Sequence, residues 1–417
     1  MKKILCLFDY KANTGFATVS QNIVPRIKKI FGEKIELHII AINYFGDPIY
    51  ENGILVLSAV KSASKHDDFG RFGFLKVLKE SNEYDGIFII QDIEVISPII
   101  PILKNIKDQK KAQNQKSFKS IFYFPVDCQL AGRPLNGLEF FDLLITYTEY
   151  GRSEVLKVRP ELKGRIKVVP HGTDADNFYP VSNTESSEFR ASYFGENKDK
   201  FIIMNLNRNQ PRKDIPNTIL AFAQVKGRWA FPKKPFLYLH CNPNDPMGHR
   251  LYDIANQLGL KEGEDYMFPP QGTENHGTDL KTINLIYNSV DLYVTTTLGE
   301  GWGLAFTEAA AVLLPIICPN HTSFMEMSAN GARAFVIDHL HQYVNSIDNT
   351  IRLKTDVDDV ANSILLVSEA IIDTDNESGS VEALLERTNA AYRWAKKLNW
   401  DYVADIWKKY FEETYNL

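Results

Sequence analysis

LGEGWGLAFTEAA, residues 298–310, decides how this chain is read. Glu300 and Glu308 flank Gly301 and Gly303. Glycine is costly inside a helix, so the pair marks backbone that must be bare or sharply turned. From Leu304 the residues become good helix formers. The stretch therefore reads as a loop feeding the first turn of a helix, with one carboxylate before it and one about a turn inside. The unpaired N–H groups of a helix start suit an anion, usually a phosphate. Carboxylates beside a phosphate would repel it, so Glu300 and Glu308 read as acceptors for hydroxyl groups.

Outward from this stretch, short apolar runs alternate with longer amphipathic ones. KILCLFD (3–9), IELHIIAIN, GIFII, KSIFYFPVD, DLLITYT and IKVVP come first, with a helical pattern from Ala17 to Phe31 after the first run. The pattern breaks at the polar YPVSNTESSEF near residue 180 and restarts with FIIMNLN, FLYLHC, DLYVTT, PIIC and AFVI. Buried runs alternating with helices predict βαβ units and parallel sheets. The expected fold class is α/β: two Rossmann-like, doubly wound domains facing across a cleft. The expected boundaries are 1–182, 183–396 and a C-terminal helix over 397–417. In that helix Trp400, Val403, Ile406, Trp407 and Tyr410 form an apolar stripe at helical spacing. In such sheets a ligand sits at the carboxyl ends of the strands, which is where 298–310 falls, after DLYVTT.

Composition bounds the partners. A chain of 417 residues is long for one core and favours two domains. A net charge of −5 gives no global pull toward nucleic acid or acidic lipid. MKKILCLFDY begins like a signal peptide, but its apolar run stops at Asp9. No run approaches the roughly 20 apolar residues of a membrane span. Cys6, Cys128, Cys241 and Cys318 lie far apart in apolar runs and read as reduced core thiols of a cytoplasmic protein. LKNIKDQKKAQNQKSFK (103–119) carries six Lys against one Asp, either a solvated helix face or a patch for an anionic surface at a membrane or nucleic acid.

Cations for a phosphate stand in LNRNQPRKD (206–214), after the first strand of the second domain. Arg208 and Lys213 fall at the strand end and the next helix start, with Arg212 as an equal candidate. A nucleotide sugar carries hydroxyls on both sides of its diphosphate. Glu308 would hold the ribose and Glu300 the sugar beyond, with phosphate oxygens on the Gly301, Trp302, Gly303 and Leu304 backbone. Asp174-Ala-Asp176 has the Asp-x-Asp spacing of a metal site, but so do 356–358 and 373–375, and no metal is expected. The nine His are scattered, and His240 reads as a satisfied histidine at a strand end.

NRNQPRKD, then EGWGLAFTE, then a C-terminal helix resembles the retaining GT-B glycosyltransferases of family 4, the group 1 glycosyl transferases. That family's Glu–seven residues–Glu signature falls on Glu300 and Glu308, and its Arg–Lys pair on Arg208 and Lys213. VVPHGTDADNFYP (168–180) and TGFATVSQNI (14–23) resemble further family segments. The resemblance implies a nucleotide-diphosphate sugar as co-substrate, no other cofactor and no metal. It implies an acceptor-binding first domain and a nucleotide-sugar-binding second domain whose C-terminal helix packs back on the first. It also implies front-face substitution, the leaving diphosphate taking the proton of the acceptor hydroxyl. The acceptor stays open among a glycan, a lipid, a small molecule and modified DNA. The alternatives are a sugar-nucleotide 2-epimerase of the same fold and a non-catalytic nucleotide-sugar-binding module.

The chain departs from the family in three places. Its first glycine loop has only Gly15 for a donor contact. The middle strand FYFPVDCQL lacks the family's His, leaving Asp127 either to take part of that role or to cap the next turn. After Glu308, Leu313 or Leu314 stands where a helix-closing Gly is usual. A left-handed Leu would cost ~1 kcal/mol, so the helix is expected to end by another device.

Overall fold

The computed structural model describes residues 1–59, 67–130, 135–270, 277–345, 349–372 and 379–417. The chain divides into two units: Met1–Val126, Leu130–Gly172 and Trp400–Leu417 form one, and Asp127–Gln129 with Thr173–Asn399 form the other. The first crossing lies before the expected 182/183 boundary. Phe178 already packs on Tyr287, and the amides of Tyr179 and Val181 donate to the side-chain oxygens of Asn284 and Asn288. The polar stretch near 180 is therefore no linker but the approach to helix Asn183–Phe194, capped by the Ser182 hydroxyl.

The first unit is built on β1 (Lys2–Asp9), β2 (Ile35–Ile42), β3 (Ile49–Glu51), β4 (Ile54–Ser58), β5 (Gly86–Ile90), β6 (Lys119–Phe124), β7 (Leu143–Thr146) and β8 (Ile166–Val168). Their order is β3-β4-β2-β1-β5-β6-β7-β8, all pairs parallel except β3 with β4. The central strands are buried along nearly their whole length, as a sheet covered on both faces requires. Helix Trp400–Tyr415 belongs to this unit and sets Trp407 against Phe88 and Tyr123, and Phe411 against Phe31. Gly86 admits it: a Cβ there would meet the Tyr415 ring at 2.2 Å.

The second unit carries β9 (Phe201–Leu206), β10 (Pro235–His240), β11 (Tyr266–Met267), β12 (Leu292–Val294), β13 (Ile316–Pro319) and β14 (Phe335–Ile337) in the parallel order β11-β10-β9-β12-β13-β14. The order reverses beside β9, which is where such folds place ligands. A separate antiparallel hairpin, β15 (Leu340–Asn345) with β16 (Thr350–Thr355), precedes helix Val357–Ile372. All four cysteines are free and buried. Among the described residues no helix is long and apolar enough to cross a membrane.

Candidate active site in the second unit

Two segments meet at the ends of β9 and β12. After β9, the backbone of Pro211–Lys213 makes one 3₁₀ turn, and Asp214 takes a left-handed φ of 44° before helix Ile215–Arg228. After β12, Thr296 Oγ1 donates to Asp214 O at 2.8 Å, and the amide of Leu298 donates to Arg212 O at 2.8 Å. Buried threonines thus fasten 211–214 beside 296–300, and this brings Lys213 and Arg212 to Glu300.

Glu300 is 6% exposed. Its carboxylate is paired with Lys213 Nζ and, at 3.1 Å, with an Arg212 guanidinium nitrogen. Burial opposes ionisation, but the two cations outweigh it and hold the Glu300 pKa at about 2. Burial draws Lys213 down from its ordinary value, Glu300 opposing. The Glu300 amide donates to Thr322 Oγ1 at 3.1 Å. Gly303, at φ 112°, then turns the chain into helix Leu304–Ala311; a Cβ there would strike the Phe324 ring at 2.7 Å. This is the bare helix start that the glycines announced.

Glu308 lies one turn inside, half-buried, and accepts from Tyr287 Oη at 2.9 Å. Desolvation pushes its pKa up to about 7; the tyrosine hydroxyl opposes the shift and the Asp174 carboxylate adds to it.

Asp127 groups with this unit. Its carboxylate pairs with Arg212 at 3.1 Å and with Arg352 at 3.3 Å, and Arg352 also donates to its carbonyl at 3.1 Å. Gly299 is required there, because a Cβ would lie 1.9 Å from the Asp127 carbonyl oxygen. Asp127 is thus a member of a five-group charge cluster with Arg212, Arg352, Lys213 and Glu300.

Other expected residues fall elsewhere. Arg208 turns to Asp245 at 2.6 Å, with its side chain 61% exposed, so Arg212 and not Arg208 stands at Glu300. The Trp302 indole is core, stacked at 6.3 Å on Trp394, and its carbonyl accepts from Ser323 Oγ at 2.6 Å. Gly15 belongs to the first unit, as the first residue of helix Gly15–Phe31 behind the Thr14 cap. His240 bonds Tyr238 Oη at 2.6 Å and is held neutral by burial at a pKa of about 4. Asp174 accepts from Asn177 at 2.8 Å. The 373–375 pair lies outside the described residues. Of the six lysines in 103–119, Lys107 and Lys119 pair with Asp142, Lys116 with Asp85, and Lys110 bonds Ser81 O and Asn82, which spends most of that patch within its own unit. Helix Leu304–Ala311 does end in a left-handed leucine: Leu313 sits at φ 62°, its amide donating to Ala310 O and that of Leu314 to Ala309 O. These are the two bonds of a Schellman cap, made without the usual glycine.

Arg352, Lys354, Tyr287 and Asp245 escaped the sequence reading. TIRLKT carried no signal for Arg352, which is 5% exposed while its apolar neighbour Ile351 is 50% exposed, the inverse of what the residue types suggest.

The chain has the GT-B fold. It matches the crystal structure of Anabaena HepE in complex with UDP-glucose at a TM-score of 0.67 and 15% identity, over 99% of this chain and 100% of that one. It matches sucrose-phosphate synthase from Thermosynechococcus elongatus at 0.68 and 15%, over 99% of each. Residues 187–358, which lie in the second unit, match the family described as Glycosyl transferases group 1. Among curated proteins, the D-inositol 3-phosphate glycosyltransferase of Mycolicibacterium smegmatis is 26% identical over 47% of this chain and 42% of its own length. The probable sucrose-phosphate synthase of Thermosipho melanesiensis is 25% identical over 46% and 43%. The matches thus span less than half the length of these relatives.

Proposed function

We propose that the chain is a retaining glycosyltransferase that moves a sugar from a nucleoside-diphosphate sugar to an acceptor hydroxyl, the second unit binding the donor and the first the acceptor. One observation carries this reading: a buried, ionised Glu300 held by two cations directly before a bare helix start, with a second carboxylate one turn on. The diphosphate takes Lys213 and Arg212, whose present partner is Glu300, and meets the amides from Gly301 to Leu304. Arg208, exposed on the second unit, leaves Asp245 to complete the clamp. Glu300, released from part of its pairing, accepts from the transferred sugar, and Glu308 accepts from the ribose. Asp127, fixed by Arg212 and Arg352, borders the reacting face.

Among the described residues Glu300 and Asp127 are paired with cations and Glu308 is taken up by the ribose, which leaves the site no carboxylate for covalent attack beneath the sugar. Front-face substitution follows: the anomeric carbon–oxygen bond breaks, the acceptor oxygen bonds the same face, and the leaving phosphate takes the acceptor proton. Catalysis then rests on charge stabilisation and positioning, with side-chain cations in place of a metal. The UDP-glucose held by Anabaena HepE makes uridine donors the first to try. A nucleotide-sugar panel read by thermal shift and slow donor hydrolysis tests the reading. The matching donor at 100 times its dissociation constant adds ~2.7 kcal/mol of stability, and turnover persists in EDTA. Stabilisation by no nucleotide sugar, or activity abolished by EDTA and restored by Mn²⁺, overturns it.

A further inference from the structure

A second constellation lies away from Glu300, where β15 begins and helix Val357–Ile372 starts. His339 and His341 alternate along one stretch of strand-like chain, and the Asp356 amide donates to His339 O at 3.1 Å, fastening the two segments. Asp356 Oδ1 accepts from the amides of Asp358 at 2.9 Å and Asp359 at 3.1 Å, capping the helix. Its Oδ2 faces outward to His341 Nε2 at 3.1 Å, and Asp359 Oδ2 meets His339 Nδ1 at 3.1 Å. Donor atoms of His339, His341 and Asp356 all lie within 4.8 Å of one another.

We propose that His339, His341 and Asp356 bind a divalent transition metal of the zinc type, with Asp359 orienting the His339 ring from behind. Two imidazoles and one carboxylate suit zinc, nickel or copper and are wrong for magnesium or calcium, which want oxygen ligands. Zinc bonds of about 2.0–2.1 Å need donors closer than they now stand. The imidazoles are free to rotate inward, being 59% and 56% exposed. A carboxylate on the far nitrogen of a ligating His is the usual second partner of such sites. The cation sits at a helix start, where the dipole is adverse, but Asp358 and Asp359 stand in its first turn and Asp356 directly before it. As exposed hydrogen-bonded pairs alone, these contacts would contribute little.

The metal would clip the hairpin to the helix. β16 of that hairpin carries Arg352, which holds Asp127, and Lys354, which pairs with Asp214 at 3.3 Å. The clip therefore braces the strand that supplies two of the charges around the candidate active site. It does not depend on what that site transfers.

Calorimetric titration of the chelator-treated full chain with ZnCl₂ decides the matter. One site per chain in the micromolar range is expected, with a rise of several degrees in melting temperature and no response to Mg²⁺. His339→Ala and His341→Ala each weaken binding at least tenfold; Asp359→Asn weakens it roughly tenfold, as loss of an orienting partner does. Asp356→Asn keeps the helix cap, since Asn caps as well as Asp, yet loses binding. Zinc binding only weaker than about 100 µM, or unchanged in His339→Ala and His341→Ala, overturns the proposal. So does binding that is lost in Asp176→Asn instead.

Discussion

The loop at Glu300 and the helix turn at Glu308 belong to one thirteen-residue stretch, yet they treat the same side chain in opposite ways. At Glu300 burial is outweighed by Lys213 and Arg212, and the carboxylate is ionised far below its ordinary pKa. At Glu308 desolvation meets only a tyrosine hydroxyl, with Asp174 nearby, and the pKa rises to about 7. Burial is common to both; what differs is which neighbours the tertiary structure delivers. Two carboxylates whose pKa values are driven apart have distinct roles open to them.

The largest test removes the cation that makes the difference. Lys213→Ala leaves Glu300 buried with Arg212 as its remaining ion pair, and should cost about 3 kcal/mol in urea unfolding. Adding Glu300→Ala should recover much of that loss. A single-variant loss below about 1 kcal/mol would mean that Glu300 is better solvated than its burial indicates.

Next in size is the division of labour. Glu300→Ala should slow sugar transfer about a hundredfold, the loss of a charged hydrogen bond worth roughly 3 kcal/mol in the transition state. Free nucleoside diphosphate should still bind. Glu308→Ala should weaken nucleoside diphosphate and full donor alike. Calorimetry beside initial rates checks both, and equal losses of nucleotide affinity would erase the distinction.

The pH dependence sharpens it further. Glu308 has a folded pKa raised above its unfolded value of about 4.5. Its contribution to stability is complete below pH ~4.5 and falls away as pH rises through 7. Glu300 has a lowered pKa, so its contribution is present above pH ~4.5 and is lost as pH falls toward 2. Glu308→Gln should therefore flatten stability between pH 5 and 8, by roughly 1–3 kcal/mol at the alkaline end. An unchanged profile would show that Glu308 is already ionised in the neutral protein.

The smallest effect lies at the far end of the same helix. Leu313→Gly relieves the left-handed leucine and should stabilise the chain by about 1 kcal/mol, read as a rise in melting temperature.

Much of this was legible from residues alone. The apolar runs KILCLFD, GIFII and FIIMNLN became central strands, because strands buried on both faces are continuously apolar. The glycines marked the turn, because few other residues take the backbone that Gly303 adopts at φ 112°. The β15–β16 hairpin escaped notice for the opposite reason: β15 is exposed along most of its length, so LHQYVN shows no apolar face to read. Arg352 was hidden with it.

Sequence by itself determined the α/β alternation, the glycine turn into a helix and the presence of carboxylates and cations near it, since each is written in local spacing and backbone preference. Tertiary structure decided that Arg212 rather than Arg208 reaches Glu300, that Trp302 is core, that Asp127 is held by two arginines, and that Leu313 bears the strain of the cap. Those outcomes depend on which side chains meet across residues far apart in the chain, and on the balance between desolvation and nearby charge. No local pattern records either.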